Sequence, residues 1–300
     1  MKNIQHIKKP GNSQKIICLV LLLSPFLFFT CCKPTDIDSR KEVTVSILPQ
    51  KYIVERIADS LFLVNVMMPP GANHETYEPT PLSMKSMANS KIYFSVGWLD
   101  FERTWTSRFT DLSPEMKIVN TSSGGELMSY EGHGHSDHAS GMDPHTWLSP
   151  RFVKLQAEHV AASLSELDPE HSALFKTNLK RLSTQLDSID TVYSELFRPM
   201  KGAKFLIYHP ALGYFARDYK LIQISLETEG KEPSAVHLSR LIEIARKEGI
   251  HSILVSKEFD SRNAETLARE IDGQVVVFDP MAGDLLANFD RIAGILYIRK

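Results

Sequence analysis

The chain has 300 residues, of which 43% are hydrophobic and 23% are charged, and its formal net charge at pH 7 is −2. A chain of this length and composition can bury one large hydrophobic core or two modest ones. Nucleic-acid binding is disfavoured, because no run of Lys and Arg that would create a basic surface lies beyond the first fifteen residues.

The amino terminus has the pattern of a secretory signal peptide. Residues 1–15 contain four lysines and no acidic residue, and a largely apolar stretch follows from Ile16 to Thr30. A transmembrane helix needs about 20 apolar residues, so this stretch is short for a membrane span, although a membrane anchor is the alternative interpretation. The pattern therefore predicts export from the cytoplasm.

Two adjacent cysteines, Cys31 and Cys32, end the apolar stretch and are followed by polar residues. They resemble a bacterial lipoprotein processing site, in which the first mature Cys receives lipid. Bulky residues at 28–30 fit that site poorly before Cys31, so Cys32 is the favoured lipidation site and Cys31 the alternative. We therefore expect a signal peptide over 1–31, a tether over 32–41 and an extracytoplasmic, lipid-anchored location.

The first half of the body alternates short β-branched runs with helical patterns, which favours a parallel sheet with flanking helices. After Pro150 the pattern is helical to about Leu167, and a start signal at Asp168 then opens a longer helix that ends near Arg198. The predicted strands before this point are Val43–Leu48, Phe62–Met68, Lys91–Val96 and Lys117–Thr121.

The second half repeats the alternation and closes with a helix from about Asp284. Its predicted strands are Lys204–Tyr208, Leu221–Leu226, His251–Ser256 and Gln274–Phe278. The predicted fold class is α/β, with two lobes that each contain a four-stranded, mainly parallel sheet flanked by helices. One long rigid helix over 169–199 joins a lobe over 42–168 to a lobe over 200–300, and no close sequence repeat relates the two.

Metal-capable side chains follow strands of both predicted lobes. All three cysteines lie in the first 32 residues, so a metal site in the body must use His, Asp or Glu. A His or Asp beside Pro is often only a turn residue, but ligands of open parallel sheets bind beyond the carboxyl ends of the strands. Their shared placement favours a metal site between the lobes, and the candidates are His74, Glu75, His145, His209 and Asp279.

A separate segment, Glu-Gly-His-Gly-His-Ser-Asp-His over residues 131–138, contains three His and two acids within eight residues. Such a tract is typical of a flexible metal-binding loop, and a solvated loop without a role is the alternative. We therefore treat His133, His135 and His138 as accessory metal-binding candidates.

Several motifs together resemble the zinc and manganese solute-binding family of ABC importers. They are Pro-Pro-Gly with Tyr-Glu-Pro-Thr-Pro, Asp-Pro-His-Thr-Trp-Leu-Ser-Pro, Gly-Lys-Glu-Pro-Ser, His-Pro-Ala-Leu-Gly-Tyr-Phe-Ala-Arg and Phe-Asp-Pro. The resemblance runs from about Val43 to the end of the chain. It implies a monomer without enzymatic activity that holds one ion between its lobes, with His145, His209 and Asp279 as ligands, and it implies an ABC permease and its ATPase as membrane partners.

The first ligand departs from the family pattern. Family members commonly place His two residues before the aromatic residue of the Tyr-Glu-Pro motif, and here Glu75 occupies that position while His74 precedes it. Three His and one carboxylate would form a zinc site, whereas binding through Glu75 would suit Mn²⁺ or Fe²⁺ better. In zinc-specific members a His-rich loop lies where residues 131–138 lie, which weighs toward zinc.

The predicted function is therefore a receptor that captures Zn²⁺ for an ABC importer. The alternatives are a Mn²⁺ or Fe²⁺ receptor of the same family, an adhesin lipoprotein that metal merely stabilises, and a zinc hydrolase. The hydrolase is disfavoured, because the sequence contains no His-Glu-x-x-His motif.

Overall fold

The computed structural model describes residues 40–129, 141–227 and 232–297, all within one compact unit, Arg40–Lys300. The predicted signal peptide, the lipidation candidates Cys31 and Cys32, and the accessory histidines His133, His135 and His138 lie outside the described residues. Among the helices that are described, none combines the length and apolar character needed to cross a membrane.

The first half forms a parallel sheet in the order β2-β1-β3-β4. The strands are β1 (Lys41–Val45), β2 (Phe62–Val66), β3 (Ile92–Ser95) and β4 (Lys117–Asn120). The helices between them are α1 (Leu48–Ala58), α2 (Pro81–Met87) and α3 (Asp100–Leu112).

Two helices then run from one sheet to the next along the chain, α4 (Pro150–Leu167) and α5 (Ser172–Phe197). Short 3-10 turns at Pro169–His171 and Arg198–Met200 flank α5. The helix α4 begins where expected, because the Ser149 side chain accepts a hydrogen bond from the backbone N–H of Phe152 and Pro150 opens the first turn.

The second half forms another parallel sheet, in the order β6-β5-β7-β8. Its strands are β5 (Lys204–Ile207), β6 (Ile222–Ser225), β7 (Ser252–Ser256) and β8 (Gln274–Phe278). Its helices are α6 (Gly213–Tyr219), α7 (Ala235–Glu248), α8 (Arg262–Glu270) and α9 (Leu285–Tyr297). This architecture confirms the predicted fold class, while the exact lobe boundaries and the rigidity of the joining helix stay predictions.

Most predicted strands extend slightly past the observed carboxyl ends. The clearest case is β1, which ends at Val45 because Leu48 and Pro49 open α1 directly afterwards. Several residues beyond a strand end still donate a backbone hydrogen bond to the neighbouring strand, as Thr121 does to Ser95. These residues retain strand-like pairing at the edge where the candidate ligands lie.

The main hydrophobic core is continuous from the first sheet to the second. It contains Phe94 of β3 and Phe205 of β5, and Leu182 of α5 and Phe289 of α9 also belong to it. A smaller core covers the other face of the second sheet under α7 and α8. Because the larger core includes residues of both halves, the two sheets are held in one packed body.

Candidate metal centre

Three histidines from both halves of the chain converge in the interior. His74 lies in the connection between β2 and α2, His145 lies just before the turn that leads to α4, and His209 follows β5. Their exposed fractions are 4%, 0% and 1%. One ring nitrogen of each lies within 4.8 Å of the other two, so the three can share one ion.

The distances between the imidazole rings suit a shared cation. Nε2 of His145 lies 2.8 Å from Nε2 of His74 and 3.3 Å from Nε2 of His209. With zinc-to-nitrogen bonds of 2.0–2.1 Å, two ligand nitrogens of a tetrahedral site are about 3.3 Å apart. A neutral imidazole has only one N–H, so three converging Nε2 atoms cannot all form hydrogen bonds with one another. Their lone pairs can instead coordinate a common cation.

The ring of His145 is oriented by Asp143. Its Nδ1 lies 2.7 Å from Oδ1 of Asp143, and the same oxygen accepts from the His145 backbone N–H at 2.9 Å. A proton on Nδ1 leaves the Nε2 lone pair free for a metal. Gly213, from the second half of the chain, lies close to Asp143. A Cβ at this glycine would lie only 2.7 Å from Oδ2 of Asp143.

The ring of His209 is oriented by carboxylates and an aromatic ring. Its Nδ1 lies 3.2 and 3.3 Å from the two carboxylate oxygens of Glu227 and 3.6 Å from Oε1 of Glu75. Phe259 stacks on the imidazole, with ring centroids 4.8 Å apart and an interplanar angle of 15°. When Nδ1 carries the proton and donates it to Glu227, the lone pair of Nε2 faces the other two histidines.

Burial controls the protonation of the cluster. It lowers the pKa of His74 and of His145 well below the usual value, and repulsion from neighbouring imidazoles lowers both further. Burial also lowers the pKa of His209, but the hydrogen bond to Glu227 and the charges of Glu75 and Asp143 outweigh it and hold this pKa above its usual value. His74 and His145 are therefore neutral near pH 7, as metal ligands must be.

The structure places the remaining predicted ligands differently. Oε1 of Glu75 lies 3.6 Å from Nδ1 of His209, and Glu75 forms with His209 and Glu227 a second group of side chains that could hold an ion. Asp279 directly follows β8, but its Oδ2 lies 2.5 Å from Nζ of Lys257. Among the described residues, its carboxylate is not one of the side chains whose ligand atoms all lie within 4.8 Å of the three imidazole nitrogens.

The segment after β8 nevertheless contacts the ligand-bearing turn. The indole N–H of Trp147 donates to the carbonyl oxygen of Pro280 at 2.8 Å. The Trp147 ring packs on His145 with ring centroids 5.1 Å apart. Asp279 therefore precedes a residue, Pro280, that is hydrogen-bonded to Trp147, and Trp147 packs on a histidine of the cluster.

Sequence reasoning missed Asp143 and Glu227, the two carboxylates that orient the ring nitrogens opposite the cluster. Asp143 belongs to the Asp-Pro-His motif, and its position two residues before a candidate ligand was the available signal. Glu227 follows β6, so the rule that selected the other candidates also applies to it.

Known proteins with similar sequences and structures are metal-binding. Residues 43–290 match the family model described as ZnuA, zinc-uptake complex component A, periplasmic. A Chlamydia trachomatis protein named for metal binding is 30% identical over 284 residues, which cover 92% of this chain and 97% of that protein. The zinc-binding lipoprotein AdcA of Streptococcus pneumoniae is 26% identical over 297 residues, and these cover 95% of this chain but only 58% of AdcA.

Solved structures of metal-binding proteins also resemble the chain. A crystal structure of ZnuA is 33% identical to the chain and superposes with a TM-score of 0.81, covering 87% of this chain and 99% of that one. The laminin-binding protein Lmb of Streptococcus agalactiae, described as a bifunctional protein with adhesin and metal transporting activity, is 20% identical with a TM-score of 0.75. At that identity the likeness shows the shared fold alone.

Proposed function

The chain belongs to the ZnuA family of metal-binding receptors, and from this premise we propose that it captures Zn²⁺ outside the cytoplasm and delivers it to an ABC permease in the membrane. The family consists of transport receptors rather than enzymes. The observation that carries the proposal is the buried convergence of His74, His145 and His209 from both halves of the chain. The extracytoplasmic location is supported by the amino-terminal pattern and by relatives named as periplasmic or lipoprotein.

The donor set favours zinc over manganese. Three neutral imidazoles with one carboxylate or water form a common zinc environment, whereas Mn²⁺ favours sites with more oxygen ligands. We propose His74, His145 and His209 as three ligands and Asp279 as the fourth. Coordination by Asp279 requires its carboxylate to leave Lys257. Glu258 is close enough to interact electrostatically with both Asp279 and His209, which supports the proposal that these two residues can approach one ion.

The proposal is tested by the metal content of protein purified without chelators, followed by competition between Zn²⁺ and Mn²⁺. We expect about one zinc per chain and preferential retention of zinc when both ions are present in equal amounts. The control is His209→Ala, which removes one donor and should lose most of the zinc. Preferential binding of Mn²⁺ would contradict the assignment of zinc while leaving the family unchanged.

A further inference from the structure

The loop after β7 contacts two of the proposed ligands of the metal centre. Lys257, the first residue after the strand, pairs with Asp279, and the distance between Nζ and Oδ2 is 2.5 Å. Phe259, two residues later, stacks on the imidazole of His209. Residues 257–259 therefore connect the two ligands that the second half of the chain supplies to the proposed site.

The sheet itself holds Lys257 beside Asp279. Ser256 of β7 is the register partner of Phe278 of β8, and the backbone N–H of Lys257 donates to the carbonyl oxygen of Phe278 at 3.1 Å. Lys257 and Asp279 are consequently the first residues beyond two adjacent parallel strands. Because the backbone pairing fixes their relative position, the ammonium stays within reach of the carboxylate.

Both carboxylate oxygens of Asp279 already have partners within the chain. Oδ1 accepts a hydrogen bond from the backbone N–H of Met281 at 3.0 Å, and Oδ2 accepts one from Lys257. A divalent ion bound to this carboxylate would lie next to the ammonium, and like charges at such a distance repel each other. The ion and Lys257 therefore compete for Asp279.

The ion pair is weak enough to be exchanged. The side chains of Lys257 and Asp279 are 41% and 24% exposed. An ion pair this accessible to water changes an equilibrium constant by about fivefold at most. Loss of even an outer hydrogen-bond partner of a metal ligand commonly lowers metal affinity by roughly 10- to 100-fold. A divalent ion can therefore displace the ammonium with only a small loss of affinity.

Glu258 offers the displaced ammonium a second carboxylate. Its Oε2 atom is buried and has no hydrogen-bond partner among the described residues. The carboxylate is close enough to interact electrostatically with Asp279, His209 and Lys257. A buried polar atom without a partner is unfavourable, so a donor that reaches Oε2 is stabilised there.

We propose that Lys257 competes with the carried ion for Asp279 and thereby limits the affinity of the receptor. When the ion binds Asp279, the ammonium moves to Glu258, and when the ion leaves, the ammonium returns to Asp279. The returning ammonium replaces part of the charge that the carboxylate loses, which favours release of the ion. This inference rests on the function proposed above, which makes Asp279 a ligand of the ion.

The test measures zinc affinity of the purified full chain by competition with a chelator. We expect Lys257→Met to bind zinc about fivefold more tightly than wild type, and Lys257→Arg to stay close to wild type. In the Asp279→Asn background, Lys257→Met should change nothing, because the competition is already absent. The matched control is Lys154→Met, which removes an ammonium of similar exposure, 38%, from its pair with Asp187 and should leave zinc affinity unchanged.

Glu258→Gln tests the second half of the exchange. The variant should bind zinc about threefold more weakly than wild type, because a neutral amide holds the displaced ammonium less well. Combined with Lys257→Met, the same substitution should have no effect, since no ammonium then needs an acceptor. Equal weakening in both backgrounds would overturn the exchange, because Glu258 would then act on the ion directly.

The remaining results separate the competition from the proposed function. Unchanged or weaker zinc binding by Lys257→Met would overturn the competition. An equal gain with and without the Asp279 carboxylate would also overturn it, since Lys257 would then only repel the ion from a distance. Both results leave zinc capture by the three histidines intact. Absence of zinc binding by the wild-type chain would instead contradict the function on which the inference rests.

Discussion

At the scale of single residues, His74 and Glu75 are neighbours in sequence but face different nitrogens of the site. Nε2 of His74 lies 2.8 Å from Nε2 of His145, on the side where the imidazoles converge. Oε1 of Glu75 lies 3.6 Å from Nδ1 of His209, on the opposite side of that ring. This geometry favours a ligand role for His74 and an orienting role for Glu75.

We expect His74→Ala to weaken zinc binding much more than Glu75→Gln. Loss of a direct ligand should lower the affinity at least a hundredfold, whereas loss of an outer carboxylate costs at most roughly 10- to 100-fold. Competitive titration against a chelator of known affinity measures both variants. A greater loss with Glu75→Gln would reassign the first ligand to Glu75.

Glu227 acts at the same scale through the ring of His209. Its carboxylate is buried, with 6% exposure, and contacts Nδ1 with both oxygens. We expect Glu227→Gln to lower zinc affinity by about 10- to 100-fold. The substitution removes the negative charge beside Nδ1 of His209, and a neutral amide orients the ring less strongly than a carboxylate does. Glu248→Gln, at an exposed pair with Lys204, is the control, and equal affinities for both variants would refute the orienting role.

At the scale of elements, the start of α3 depends on a buried carboxylate. Glu102 accepts hydrogen bonds from the backbone N–H groups of Val96 at 2.7 Å and Gly97 at 2.6 Å, and from the Ser46 hydroxyl. Burial raises the pKa of Glu102 to about 7 although these hydrogen bonds oppose the shift. The carboxyl group therefore holds the loop after β3 against the first turn of the helix.

The raised pKa of Glu102 makes folding stability depend on pH. The folded state retains its proton up to about pH 7, whereas an unfolded Glu releases it near pH 4.3, so stability from this group is lost as pH rises between these values. Relative to Glu102→Gln, we expect the wild-type free energy of unfolding to fall by up to about 3 kcal/mol from pH 4.5 to pH 8. Urea titrations across this range measure the difference, and parallel pH profiles would contradict it.

At the scale of the whole molecule, the main core extends through both sheets and the long helix α5. Phe94 from the first half and Phe278 from the second belong to one cluster, with Phe175 and Tyr193 of α5 between them along the chain. A core shared in this way couples the unfolding of the two halves, because neither half buries its apolar surface alone.

Calorimetry should consequently show one unfolding transition, and zinc should shift all of it upward. Free zinc at a hundred times its dissociation constant contributes about 2.7 kcal/mol, which corresponds to roughly 5–10 °C for a protein of this size. The shift should disappear in His209→Ala. Two separate transitions, with only one displaced by zinc, would show that the halves unfold independently.

The sequence by itself determined the strand and helix order, the long helix between the sheets and the segments that carry the site. These features depend on local patterns, namely periodicity, caps and metal-capable residues after strands. The predicted strand ends lie past the observed ones, because residues such as Thr121 continue the pairing by a backbone hydrogen bond beyond the regular strand.

Only the tertiary structure decided which atoms meet. It grouped His74 with His145 and His209, revealed Asp143 and Glu227 behind the imidazoles, and paired Asp279 with Lys257. The physical reason is that these contacts join residues of different segments through side-chain direction, and a shift of one residue changes which side of a ring a carboxylate or imidazole reaches.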